Sequence, residues 1–205
     1  MRIAMIGAGK VGQAIAGALR RGGHDIVFGL RQPDAGAVDQ QRIADAVRTS
    51  DASVLAVPVG AVGEVVAASG GFVGRIVIDA TNPLGIGADG LGLTMGFDTS
   101  GAERIAALAP QARVFKAFNQ TGFENLADAP AYAAAPAMFV AGDDAAGKRM
   151  VMTLVADAGF AAVDAGDLRG ARLLEPLAML WIELARKRGL GPDFAFTLQR
   201  KEPSA

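Results

Sequence analysis

The sequence predicts an α/β fold of the Rossmann type, doubly wound about a mainly parallel sheet and closed by a C-terminal helix and a short tail. Three observations carry that expectation. Short β-branched runs alternate with helical stretches along most of the chain. The first run leads straight into Gly7, Gly9 and Gly12, spaced G-x-G-x-x-G, and then into an amphipathic stretch. Of the 205 residues 51% are hydrophobic but only 6% aromatic, which suits a core of small, closely packed side chains. The whole chain, 1–205, reads as a single dinucleotide-binding domain whose C-terminal extension covers about 168–205.

The elements follow in order. A first strand is expected at 3–6 and a helix over 11–21, stopped by Gly22 and Gly23 as a C-terminal cap. The second strand covers 25–29 or slightly more. Between 35 and 50 only a helix over 41–48 is evident, with no third strand before it. A strand at 53–57 ends against Pro58, and a helix near 61–68 leads to a strand at 75–80. Residues 81–101, TNPLGIGADGLGLTMGFDTSG, read as a long glycine-rich connection, a length often associated with function. A helix at 102–108, strands at 113–118 and 137–141, a helix at 145–158 capped by Asp143 or Asp144, and a strand at 161–165 complete the sheet. The last helix spans about 171–187 and stops at Gly189. The alternating tail DFAFTLQRK is a candidate edge strand.

Composition narrows the function. With no cysteine there is no disulfide, Cys-based zinc site or thiol catalysis. Twenty basic and 21 acidic residues leave no cationic excess for nucleic acid. No apolar run approaches the roughly 20 residues of a membrane span, since the longest, 173–185, contains Glu175, Pro176 and Glu183. The chain enters its first strand without a signal peptide, so a cytoplasmic location is expected.

The glycine turn has a specific logic. Gly7 permits the tight turn, Gly9 lets the backbone approach a pyrophosphate, and Gly12 lets the helix pack on the strand. With Ala8, Lys10 and Val11 between and beside them, these residues form the expected cofactor turn at a helix N-terminus. The second strand then selects the nucleotide. NAD sites place an acid at its end; here the strand exits through Leu30 and Arg31. A guanidinium binds a 2′-phosphate with charge-assisted hydrogen bonds, so NADP(H) is the expected cofactor. In the alternative, Arg31 is a solvated loop residue and Asp34 turns back to the ribose.

Three further strand ends border the expected cleft. Val57 and Pro58 form an apolar wall, and Asn82 and Pro83, which follow Thr81 after the next strand, join them as candidate cofactor-binding residues; Asn119, Gln120 and Thr121 follow another strand as a candidate substrate pocket. Each cluster also reads as ordinary turn punctuation. His24 is the sole histidine and lies at the opposite end of the sheet. No catalytic side chain is therefore assigned, and the expected chemistry is carried by the cofactor. Leu173, Leu174, Leu177, Leu180, Trp181 and Leu184 recur at helical spacing, which suits core packing, a homodimer seam or a wall of the ring pocket.

Taken together, IGAGKVGQAIA, GHDIVFGLR, VLAVP, DATNPL, VFKAFNQTGFENLAD, VAGDD and DAGDLRGARLLEPLAMLW resemble the NADP-dependent oxidoreductase family that works with the deazaflavin coenzyme F420. They are also similar to the cytosolic reductase domain of the six-transmembrane metalloreductases. The resemblance implies hydride exchange between NADP(H) and a flavin-like acceptor such as F420 or a flavin. It implies that Gly9, Lys10 and Val11 hold the pyrophosphate, Arg31 the 2′-phosphate, and Val57 and Pro58 the nucleotide wall, with Asn119 lining the ring pocket. The serine or threonine that the family often places beside the arginine is Leu30 here. Two rival functions remain at this point: an imine or pyrroline reductase, and a non-enzymatic NADP(H)-sensing module.

Overall fold

The computed structural model describes residues 1–201. Its strands are β1 (Arg2–Ile6), β2 (Asp25–Leu30), β3 (Gln40–Arg42), β4 (Ala52–Leu55), β5 (Ile76–Asp79), β6 (Leu84–Gly87), β7 (Gly90–Leu93), β8 (Arg113–Lys116), β9 (Ala137–Gly142) and β10 (Ala161–Asp164). Its helices are α1 (Lys10–Arg21), α2 (Ile43–Arg48), α3 (Val62–Ala68), α4 (Gly101–Leu108), α5 (Phe123–Ala127), α6 (Ala145–Asp157) and α7 (Ala171–Ile182), the last continuing as a wider π turn over Glu183–Lys187.

Eight strands form one sheet in the order β10-β9-β8-β5-β4-β1-β2-β3, and β6 and β7 form a separate hairpin. Six neighbouring strands, β3 to β8 in that order, run parallel; β9 turns antiparallel to β8 and β10 follows β9. The chain winds outward from β1 to β3, then crosses back to β4. The carboxyl ends of β1 and β4 therefore mark the switch point where doubly wound sheets bind ligands.

The central strands are buried on both faces, which is why they read as continuous apolar runs. In β1, Ile3 and Met5 face one core layer with Ile15, Leu19 and Phe28, while Ala4 and Ile6 face the other with Leu55 and Val65. Helix α1 packs through Gly12, Ala14, Ile15, Ala16, Ala18 and Leu19, mostly small residues that let it lie close to β1. No helix among the described residues is long and apolar enough to cross a membrane.

Five expectations need correction. A third strand exists: β3 is only QQR, held to β2 by backbone pairing, and carries no apolar periodicity to announce it. The connection 81–101 is not structureless, because it folds into the β6–β7 hairpin. Helix α5 was not foreseen. The cap of α6 is Asp144, which accepts from the N–H groups of Ala146 and Gly147, whereas Asp143 accepts from Leu168 N at 2.9 Å. The tail adds no strand within the described residues. It touches the sheet's end through one bond, Ala137 N to Phe196 O at 2.8 Å. Its anchor is Phe194, stacked on Trp181 with centroids 5.4 Å apart, whose carbonyl accepts from Trp181 Nε1 and Asn125 Nδ2. Along α7, Leu174, Ala178 and Trp181 are buried, and Leu173 and Leu180 face solvent.

Candidate functional site

The glycine turn connects β1 to α1. Gly7 has φ +110°, and a Cβ there would overlap the Ala56 carbonyl; a Cβ at Gly12 would overlap the carbonyl of Gly7. The interior itself requires glycine at both. Gly9 is different. Its φ of −73° and ψ of −178° suit any residue, and nothing lies within 4 Å of where its Cβ would stand. What a side chain there would fill is the open space before the N-terminus of α1. That helix has no side-chain cap and no acid in its first turn, so its leading N–H groups are free for an anion. Lys10 adds positive charge at the same end, its Nζ 5.0 Å above the ring of Phe123.

Beside the turn is a cavity of about 200 Å³ walled by Gly7, Leu30, Val57, Pro58 and Val65, with Arg31 and Glu64 among its polar lining. Arg31 Nη1 donates to Glu64 Oε2 at 3.1 Å, but the two side chains are 75% and 69% exposed. Such a solvated pair adds little stability and exchanges readily for another partner. Asp34 is occupied locally: its Oδ1 accepts from Gly36 N, and its own N–H donates to Gln40 Oε1.

The other strand ends converge on one another. Asn82 Nδ2 donates to Asn119 O at 2.8 Å, and Asn119 Nδ2 donates to Asn82 Oδ1 at 2.9 Å and to Leu174 O at 3.0 Å. Gln120 Nε2 donates to Asn119 Oδ1 and Phe139 O, and its Oε1 accepts from Phe139 N. Asn119 and Gln120 are buried, and every N–H of their side-chain amides has an acceptor. Together with Asn82 they form a hydrogen-bonded frame just beyond the ends of β5 and β8. The half-buried Asn82 keeps one amide hydrogen, the half-buried Thr121, accepting from Asn125, keeps its hydroxyl proton, and the buried Thr81 hydroxyl has no partner among the described residues, so these groups retain hydrogen-bonding capacity. Phe118 takes φ +61°, uncommon for a non-glycine residue, at the bend that leads from β8 into Asn119.

Sequence reasoning missed the charged triad under this frame. Lys116 Nζ donates to Asp79 Oδ2 at 2.8 Å, Glu175 Oε1 at 2.8 Å and Thr81 O at 2.6 Å, and the three charged side chains are 0% exposed. Glu175 also accepts from the N–H groups of Gly101 and Ala102 at the start of α4, and Asp79 from Thr81 N. The ammonium thus has three acceptors for three donors, which a buried charge needs. A signal was present: Asp79, Lys116 and Glu175 each interrupt an apolar run, where unpaired charges are almost never tolerated.

Residues 2–83 match the family model described as NADP oxidoreductase, coenzyme F420-dependent. Over 98% of its length the chain matches the whole of a candidate F420-dependent NADP reductase from Arthrobacter sp. FB24, at 30% identity and a TM-score of 0.87. A hypothetical protein from Sinorhizobium meliloti matches over 83% of this chain and 87% of its own, at 28% identity and a TM-score of 0.70. An imine reductase from Aspergillus terreus shares the fold at 18% identity and a TM-score of 0.63, across 89% of this chain and 60% of that one.

Proposed function

Because the chain belongs to the family of coenzyme F420-dependent NADP oxidoreductases, we propose that it passes hydride between NADP(H) and a flavin-like acceptor, with F420 as the preferred one. That it is an NADP(H)-dependent oxidoreductase follows from membership, and the sensing-module alternative falls away. The observation that carries the site assignment is the open space above Gly9 at an uncapped helix N-terminus, with Arg31 at the adjoining strand end.

The residues present fit the nucleotide. The turn from Gly7 to Gly12, with Ala8, Lys10 and Val11, would receive the diphosphate on backbone N–H groups. Val57, Pro58 and Leu30 would enclose the adenosine, and Arg31 would release Glu64 to take the 2′-phosphate. When bound, the nicotinamide supplies or accepts the hydride. The protein's task is then alignment: Asn82, Pro83 and Thr121 border the place where a second ring would stack, and the Asn119–Gln120 frame with its buried triad holds those loops in register. Hydride exchange between two rings needs no proton-transfer side chain, which agrees with the neutral amides and hydroxyls at these strand ends.

NADPH oxidation, followed at the nicotinamide absorbance band with one acceptor at a time, tests the reading. F420 should drive turnover well above FMN, a ferric chelate or a cyclic imine. Oxidation driven by the imine alone would replace this proposal with an imine reductase. Preference for the ferric chelate would move the function toward the metalloreductase resemblance.

A further inference from the structure

We propose that Arg42 of β3 is a second ligand of the NADP 2′-phosphate, acting with Arg31 from the neighbouring strand. The inference rests on the reading that this chain binds NADP(H), and it supplies what that reading lacks at Leu30. The parallel register of β2 and β3 sets Leu30 directly beside Arg42, so both strands deliver an arginine to the carboxyl edge of the sheet, where its ligand lies. Arg31 and Arg42 line one surface cavity together with Leu30, Ile43, Ala44 and Ala68. Arg42 is exposed and its side chain makes no hydrogen bond or ion pair among the described residues, so its guanidinium is uncommitted.

Charge decides the point. Arg31 and Glu64 alone leave this corner neutral, a poor receptor for a group carrying close to two negative charges. Arg42 makes the corner cationic while Glu64 remains. Two of the other acids nearby are neutralised by their own cations, Asp45 by Arg48 and Asp39 by Arg20, and Asp34 turns a carboxylate oxygen back to Gly36 N within its own loop. A guanidinium on each side also replaces, by charge and fork geometry, the hydroxyl that Leu30 cannot offer.

Calorimetric titration of wild type, Arg31→Ala and Arg42→Ala with NADP⁺ and with NAD⁺ tests the proposal. Arg42→Ala should weaken NADP⁺ binding by roughly tenfold to a hundredfold, the usual effect of losing a hydrogen bond to a charged group. NAD⁺ binding should stay within about twofold, since only the 2′-phosphate contact is removed. The NADP⁺ affinity of the variant should also depend less on salt. If Arg31→Ala loses NADP⁺ selectivity and Arg42→Ala does not, the Arg42 proposal is overturned and NADP(H) binding stands. Equal losses for both nucleotides in Arg42→Ala overturn it as well. A wild-type protein that binds NADP⁺ no more tightly than NAD⁺ overturns the NADP(H) reading itself.

Discussion

At the scale of the residue, the three glycines of the turn look alike in sequence and differ in cause. Gly7 and Gly12 are glycine because backbone oxygens occupy the place of a Cβ, whereas Gly9 has only open space there. The difference is testable. Asp is among the best helix N-caps, so Gly9→Asp should hold or raise the stability of the free protein by a few tenths of a kcal/mol. The same carboxylate stands where the diphosphate would lie, so NADPH affinity should fall at least about a hundredfold, through like-charge repulsion and lost N–H donors. Gly12→Ala should do the reverse and destabilise the fold by about 1–3 kcal/mol, because a carbonyl cannot move aside as a flexible side chain can. Thermal unfolding and fluorescence titration of both variants separate the two; a large loss of stability in Gly9→Asp would mean that the turn, and not a ligand, demands glycine there. The positions of Gly9 in the turn and Arg31 at the strand end can be read from sequence because each is contiguous with its element. Those of Arg42 and Glu64 cannot, since they reach the same corner only through the β2–β3 pairing and the placement of α3.

At the scale of the element, apolar runs were legible and polar or glycine-rich pairings were not. β3 contributes only Gln40, Gln41 and Arg42, and the hairpin strands LGIG and GLGL hide their pairing behind glycines that lower strand propensity. The alternation of the tail misled because Phe194 is recruited by Trp181, not by a strand ladder. The amides Asn119 and Gln120 were found, but their side chains are turned into the scaffold, where hydrogen-bond partners already exist. The element-level link is the Lys116 triad, which ties β5, β8, α7 and the start of α4 at one point. Lys116→Met preserves much of the volume but leaves Asp79 and Glu175 buried without their cation. It should destabilise the protein by about 3–5 kcal/mol in urea unfolding, the range for breaking a buried ion pair from one side. A loss below about 1 kcal/mol would mean that the triad contributes little beyond packing.

At the scale of the whole molecule, the parallel order around β1 follows from alternating strands and helices, while the reversal at β9 has no local sequence signature. Five carboxyls, Glu103, Asp144, Asp164, Asp167 and Glu183, are held below their ordinary values. Glu103 is lowered chiefly by its two-point hydrogen bonding to Arg172, which ties α4 to α7. Asp164 is lowered by Lys148, Asp167 by Arg169, and Glu183 by Lys187. Burial pushes Asp144 up, but the N–H groups of Gly147 and Ala146 and the Arg113 guanidinium outweigh it. A carboxyl with a lowered folded-state pKa binds fewer protons folded than unfolded. Its contribution is complete above the ordinary values of 4.5 for Glu and 3.8 for Asp and disappears as pH falls through the folded value. Stability should therefore be level between about pH 5 and 7 and decline on further acidification. Because these pairs tie α4 to α7 and α6 to the end of β10, amide exchange at those links should rise before it rises in β1, β2 and α1. Glu103→Gln, which keeps a hydrogen-bonding side chain but not its charge, should lower stability near neutrality and flatten the acid limb. Urea midpoints between pH 3 and 7, with exchange read element by element, check this; simultaneous opening of those links and of β1, β2 and α1, or an unchanged limb in Glu103→Gln, would show that acid lability is not set by these pairs.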